Sequence, residues 1–399
     1  MKILLLCNKS PNPPKEGGPI AMNMIIEGLI AAGHKVKVLA INSDKYHISL
    51  SQIPPDYIRK TGIELVDVDL RIKPLSAFFN LFTSQSYHVE RFKSGKFTSR
   101  LTEILKNEEF DIVQFEMLYM SPYIKVVRKL SKAKAVLRAH NIEHLIWERI
   151  AATTSNPLKK LYVRHLARTL KKYELSIVNQ FDGLATISDK DMHFFIHSGC
   201  RVPVTDITFG INPEEFSETN GECEFPSLFS IGAMNWIPNQ EGIKWFLKNV
   251  WMDIHRQYPS LKYYIAGREI PAWLTNTDYP NVLVVGEVEN ALHFMNSKGI
   301  MIVPLFSGSG IRIKIIEAMA AGKAIISTTI GAEGIHYTRG ENIMIANLPC
   351  EFFEMISACI ENKDLCRKIG NNAKKVIGLY YNRDRIITKL LDFYQRIGA

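Results

Sequence analysis

The segment that most constrains this chain is Phe306–Gly322, FSGSGIRIKIIEAMAAG, with the apolar run GIMIVPL (Gly299–Leu305) before it. A short, uninterrupted apolar run predicts a buried strand. Small, flexible residues follow, Ser307-Gly308-Ser309-Gly310, and then apolar Ile311, Ile315, Ala318 and Met319 at helical spacing. A strand passing through glycine-rich backbone into a helix start can hold an anion. Free amide N–H groups and the positive end of the helix dipole converge there. Arg312 and Lys314 place two cations in or beside the first turn, where the dipole disfavours them and a bound polyanion would supply the partner. One turn further, Glu317 is a lone carboxylate among apolar neighbours, suited to accept hydrogen bonds from sugar hydroxyls. The plainer alternative is a surface helix with ordinary charges behind a glycine loop. Turn, cations and carboxylate at one strand end favour a site.

The rest of the chain repeats the strand–helix alternation. Lys2–Cys7 (KILLLC) predicts a buried strand, Met22–Ala32 an amphipathic helix stopped by Gly33, and Lys35–Ile41 the next strand. Gly17 and Gly18 fall at that first strand-to-helix junction, but the loop lacks the G-x-G-x-x-G spelling and so argues against an NAD-dependent enzyme. Asp111–Glu116 and Ala133–His140 predict two further strands, the second ending in His140 and Asn141. Ligands of open α/β sheets bind outside the carboxyl ends of strands, so both residues are site candidates, with a structural histidine as the alternative. Phe181–Ser188 predicts another strand, with Asp189 as the cap of the helix after it. Asn156–Gln180 predicts a helix with one apolar stripe (Leu158, Leu161, Tyr162, His165, Leu166, Thr169, Leu170, Tyr173) and one basic stripe (Lys160, Arg164, Arg168, Lys171). Such a helix is either a domain helix with a solvated basic face or one that lies on anionic lipid. The run Pro203–Pro226 shifts to Pro, Gly, Asn and Glu. It divides the chain into domains 1–206 and 207–379, and a terminal helix at 380–399 is expected to return to the first. Alternation in both halves predicts an α/β protein of two doubly wound domains facing a central cleft.

The 399 residues suffice for two cores, and a net charge of +9 suits anionic partners such as nucleotides or a lipid surface. No zinc-finger spacing or aromatic RNA-binding motif is present, which argues against nucleic acid. The six cysteines form no C-x-x-C pair, and the apolar run at the N-terminus is short for a signal peptide. A soluble cytoplasmic protein is expected.

Four stretches carry a family resemblance: AHNIEH, FDGLATIS, ITFGINPEEF and above all PLFSGSGIRIKIIEAMAAGKAIISTTIGAEGI. Together they resemble glycosyltransferase family 4, in a variant similar to bacterial surface-polysaccharide enzymes. The resemblance implies the GT-B fold of two Rossmann-like domains, an N-terminal one for the acceptor and a C-terminal one for the nucleotide sugar. It implies metal-independent, cofactor-free, retaining transfer of a sugar from a nucleoside diphosphate to a glycan or lipid-linked acceptor. Glu317 matches the second Glu of the family's E-x7-E motif, which binds the donor ribose, whereas Ser309 stands where the first Glu belongs. Backbone N–H groups around Ser309 and Gly310, after Gly308, are expected to replace that carboxylate. The usual Arg and Lys after the first strand of the second domain are replaced by GAMNWIPN, behind Gly232, which leaves Arg312 and Lys314 to neutralise the diphosphate. Gly17 and Gly18 match the family's N-terminal glycine loop, His140 the histidine at the donor sugar, and Gly286 and Glu287 the turn that reads the base. A non-catalytic sugar-nucleotide-binding relative and a GT-B sugar-nucleotide epimerase are the alternatives. The missing first Glu favours the former, and the shortage of carboxylates disfavours the latter.

Overall fold

Apolar runs with no alternation become parallel strands buried on both faces. The computed structural model describes residues 1–14, 17–73, 80, 81, 83, 85–216, 222–308 and 310–399. It folds as two units: residues 1–210 with 383–399, and residues 211–382.

In the first unit KILLLC forms β1 (Lys2–Cys7), buried in all but Lys2. It is followed by β2 (Lys35–Asn42), β3 (Glu64–Asp67), β4 (Ile112–Glu116), β5 (Lys134–Ala139), β6 (Gly183–Thr186) and β7 (Val204–Asp206). All pair in parallel, in the order β3-β2-β1-β4-β5-β6-β7. Register places Ile3 between Val36 and Ile112. On one side of the sheet Leu4, Leu39, Phe97, Leu101, Phe115 and Leu170 join in one core. The terminal helix Arg383–Arg396 belongs to this unit because small residues let it approach closely. A Cβ on Gly28 would lie 2.4 Å from Ile387 Cγ1, and one on Gly183 would lie 2.6 Å from Phe393 Cζ.

The second unit repeats the plan with β8 (Glu224–Ile231), β9 (Tyr263–Ala266), β10 (Val282–Gly286), β11 (Lys298–Val303), β12 (Ala324–Ser327) and β13 (Met344–Ile345). These strands are also parallel, in the order β10-β9-β8-β11-β12-β13. Trp251, Phe246, Tyr263, Ile265, Ile302 and Phe352 share its core. In each sheet the first strand lies inside and the chain winds outward first one way, then the other. The direction reverses between β1 and β4 and between β8 and β11, and ligands of such sheets bind outside the strand ends at these reversals.

Several expectations need correction. The first helix spans Gly17–Ala31 rather than starting at Met22. Gly17 and Gly18 are therefore its first residues and not a loop before it; Pro19 is no obstacle there, since first-turn N–H groups have no partner to lose. Ser188, not Asp189, caps the helix Asp189–His197, its Oγ accepting from the Asp191 N–H at 3.1 Å. An additional helix, Glu143–Thr153, precedes the long helix Pro157–Ile177. The long helix buries Val163, Leu166, Ala167, Leu170, Glu174 and Ile177, which leaves Leu158 and Leu161 of the expected apolar stripe 80% and 66% exposed. The two leucines lie in the first turns, ahead of the first buried residue, Val163.

Candidate functional site

In the second unit the loop after β11 and the helix Ile313–Ala320 gather three of the expected charges beside the reversal point. Arg312 is the residue before the helix and is buried; its Nη1 donates to the Gly310 carbonyl and its guanidinium lies 5.3 Å from the centre of the Trp236 ring. Gly308 is needed under this stack. Its φ of +112° is a conformation side chains avoid, and a Cβ would sit 2.7 Å from the indole of Trp236 and 3.2 Å from Arg312 Nη2. Lys314 reaches the end of β8. Its Nζ donates to Asn239 Oδ1 at 3.0 Å, and Asn239 is fixed in turn by donating from Nδ2 to the Ala233 carbonyl at 2.8 Å. A Cβ on Gly232 would lie 3.3 Å from that ammonium and 2.8 Å from Asn239 Nδ2, so glycine leaves the strand end open to the cation.

Burial, with Arg312 as a like charge nearby, lowers the Lys314 ammonium to about 7. Burial alone raises the Glu317 carboxyl to about 7. Among the described residues the Glu317 side chain has no hydrogen-bond or ion-pair partner. Two cations and a carboxyl, the lysine and the carboxyl both poised near neutrality, therefore flank one helix start. The chemistry suits a ligand with a polyanionic part and hydroxyls. Ser309 lies outside the described residues. Gly286 ends the edge strand β10 with φ +83°, its carbonyl accepting from the Gly267 N–H at 2.7 Å, and Glu287 after it is exposed.

His140 follows β5 in the first unit and is buried against the end of β4. Its Nε2 is 2.6 Å from Glu116 Oε2, and Arg138 Nη1 approaches the same oxygen at 3.2 Å. Glu116 accepts from Gln114 Nε2 at 2.6 Å, and Gln114 accepts from the hydroxyl of Tyr394 on the terminal helix. Burial opposes ionisation of Glu116, but Arg138 and His140 hold its carboxyl at about 2. An ionised carboxylate only accepts, so His140 Nε2 carries the hydrogen. Burial pushes the imidazole down, which leaves the neutral ring with Nδ1 as an acceptor. Asn141 turns away, its Nδ2 donating to Glu143 Oε1 at 3.5 Å. The helix start after it is already filled: the N–H groups of Glu143 and His144 donate to the buried Glu174 carboxylate at 2.9 and 3.1 Å. Gly18 stands near Lys9, whose Cε would be 3.4 Å from an added Cβ.

Three residues of this geometry were not among the sequence candidates: Glu116, Asn239 and Trp236. Glu116 carried a signal, a charge closing an apolar strand one crossover before His140. Asn239 and Trp236 lie in GAMNWIPN, which stands out in the sequence chiefly for the cations it lacks.

Residues 225–362 match the family described as glycosyl transferases group 1. An uncharacterised 44.6 kDa protein in the cps region of Klebsiella pneumoniae is 24% identical over 399 residues, covering 98% of both chains. Among solved structures, sucrose-phosphate synthase from Thermosynechococcus elongatus matches with a TM-score of 0.70 at 14% identity, over 100% of this chain and 99% of that one. HepE from Anabaena, in complex with UDP-glucose, matches at 0.64 and 12%, over 99% and 100%. The chain thus has the GT-B fold, and residues 225–362 are similar to a group 1 glycosyltransferase domain.

Proposed function

We propose that this chain is a retaining glycosyltransferase of the family 4 type. It moves a hexosyl or related sugar from a nucleoside diphosphate to a glycan or lipid-linked acceptor of a cell-surface polysaccharide. The observation that carries the reading is the grouping of Arg312, Lys314 and Glu317 at one helix start beside Gly232. The relative in a cps region supports a role in capsule-type polysaccharide, and the neighbour with UDP-glucose supports a nucleotide-sugar donor.

In this reading residues 211–382 hold the donor. The diphosphate lies against the helix amides, Arg312 and Lys314, with Gly308 and Gly310 letting backbone approach in place of the first Glu of the motif. Glu317 accepts from the ribose hydroxyls, and Gly286 and Glu287 read the base through backbone. Departure of the nucleoside diphosphate concentrates negative charge on its terminal phosphate, where preorganised donors lower the barrier. Two protein cations supply that stabilisation, so the reaction needs no divalent metal. His140, oriented by Glu116, offers Nδ1 to a hydroxyl of the donor sugar. Front-face attack then gives retention, with the leaving phosphate taking the acceptor's proton. Residues 1–210 with the terminal helix serve the acceptor, and Gly17 and Gly18 border it. The work takes place in the cytoplasm, at the inner face of the membrane. Exposed Leu158 and Leu161 beside Lys160, Arg164, Arg168 and Lys171 support such peripheral contact.

The test is turnover of a UDP-, GDP-, ADP- and dTDP-sugar panel with glycolipid extract in EDTA, reading the product's anomeric configuration by proton NMR. An α-linked product from an α-linked donor is expected. An inverted product contradicts retention, loss of activity in EDTA contradicts metal independence, and nucleotide binding without transfer marks a non-catalytic relative.

A further inference from the structure

The first unit holds a cleft of about 460 Å³ that none of the residues above explains. It is built at the carboxyl ends of three strands of one sheet: Lys45 and Tyr46 follow β2, Leu70 and Ile72 follow β3, and Tyr119 follows β4. Trp147, on the helix after β5, and His88, Arg91 and Phe92 close it. One wall is aromatic. The rings of His88 and Trp147 lie 3.9 Å apart, and those of Phe92 and Tyr119 stack at 4.8 Å. Tyr46 adds a further half-buried ring. Flat apolar faces of this size suit the C–H face of a sugar ring.

The polar groups in the cleft are unevenly charged. Its lining contains Lys45, Arg71 and Arg91 against the single acid Asp44. Arg71 is neutralised, Nε lying 2.9 Å from Asp69 and 3.3 Å from Asp44. Lys45 and Arg91 form no ion pair among the described residues. Arg91 donates from Nη2 to the Leu70 carbonyl, whereas its Nε is buried without a partner. His88 is 8% exposed and its Nε2 is also buried without a partner. Burial, reinforced by Arg91, lowers that imidazole to about 4, so His88 is a neutral residue of the lining, able to bond a hydroxyl. A buried polar atom left unpaired costs about 1–3 kcal/mol, and two of them in one lined cavity point to a ligand that satisfies them.

We propose that this cleft binds an anionic saccharide, its ring against Trp147 and Tyr46, a hydroxyl on His88 and its carboxylate or phosphate on Arg91 and Lys45. Identifying that saccharide as the acceptor rests on the glycosyltransferase reading; the binding itself does not.

The experiment is saturation-transfer NMR on the full chain with three probes: glucuronic acid, glucose 1-phosphate and glucose. Wild type, Arg91→Gln, Arg91→Lys and Lys45→Gln are compared, and in each the thermal shift induced by UDP, GDP, ADP or dTDP reports independently on the second unit. At least one anionic probe is expected to bind about tenfold or more tighter than glucose, as a charge-assisted hydrogen bond requires. That preference should vanish in Arg91→Gln, weaken in Lys45→Gln and partly return in Arg91→Lys. Glucuronic acid alone identifies a carboxylate sugar; glucose 1-phosphate alone identifies a phosphorylated one, as at a lipid carrier. Equal binding of glucose, wild-type affinity in Arg91→Gln, or no binding by any probe overturns the proposal. A retained nucleotide shift then leaves the donor reading standing. Anionic binding with no nucleotide shift instead leaves the cleft standing and removes the donor reading.

Discussion

If Lys314 and Glu317 both contact the donor, binding must move protons, and in opposite directions on either side of neutrality. Free Lys314 has its ammonium lowered to about 7 by burial and Arg312. A diphosphate beside it favours the charged form, so above pH 7 binding takes up a proton. Glu317 has its carboxyl raised to about 7 by burial. Ribose hydroxyls donate to the ionised form, so below pH 7 binding releases a proton. One unit from a pKa, about 90% of a group is in one state. Net uptake is therefore about 0.8 proton at pH 8 and net release about 0.8 at pH 6, the minor state of the other group offsetting about 0.1 in each case, and the two cancel near pH 7. Affinity follows a bell centred there, weakening about tenfold, or ~1.4 kcal/mol, per unit on each limb. A sugar nucleotide such as UDP-glucose is the right probe, since its diphosphate diester stays ionised throughout this range. Calorimetric titrations in two buffers of different ionisation enthalpy at each pH measure the protons directly. Lys314→Gln should abolish the high-pH limb only, and Glu317→Gln the low-pH limb only. A flat affinity profile with no buffer dependence would refute the site assignment, even if the nucleotide bound.

Four further outcomes follow from the packing. Glu116→Gln should slow transfer far more than it weakens nucleotide binding, because the amide no longer enforces an Nε2–H tautomer on His140; equal losses in kcat and donor affinity would reduce the pair to a structural role. Gly308→Ala should weaken nucleotide binding about tenfold or more by displacing Trp236 and Arg312, with the melting temperature lowered by only a few degrees, and wild-type affinity would contradict it. Glu174→Ala leaves two buried N–H groups and His144 Nδ1 without their acceptor. It should cost about 3 kcal/mol in urea unfolding, whereas a change under 1 kcal/mol would show that the cap is dispensable. Neutralising Lys160, Arg164, Arg168 and Lys171 together should release the protein from phosphatidylglycerol vesicles in co-sedimentation; unchanged binding removes the membrane contact.

What the sequence showed and what it hid divide along physical lines. The strands were legible because a parallel sheet buries both faces, and runs such as KILLLC or GIMIV admit little else. Arg312, Lys314 and Glu317 were legible as a group because they lie within two helical turns of one strand end, so local periodicity alone brings them together. The partners that fix them were not. Asn239 meets Lys314 across 75 residues and Glu116 meets His140 across 24, contacts that depend on which strands become neighbours. Helix 157–177 shows a different failure. Its leucines follow an apolar period, yet the neighbouring helix Glu143–Thr153 covers only part of that face. A buried Glu174 takes a core position because it caps that neighbour. The cleft around Trp147 was invisible for the same reason, since its walls come from five separate segments.

The central claim is that the helix start at Ile313 holds a nucleoside diphosphate. A thermal-shift screen of the wild type and of Glu317→Ala against UDP, GDP, ADP, CMP and dTDP, with and without magnesium, tests it most directly. At one hundred times its dissociation constant a ligand adds about 2.7 kcal/mol of stability. One nucleoside diphosphate is expected to raise the wild-type melt without magnesium and to lose most of that effect in the variant. No shift with any nucleotide, or the same shift in both proteins, would contradict the account.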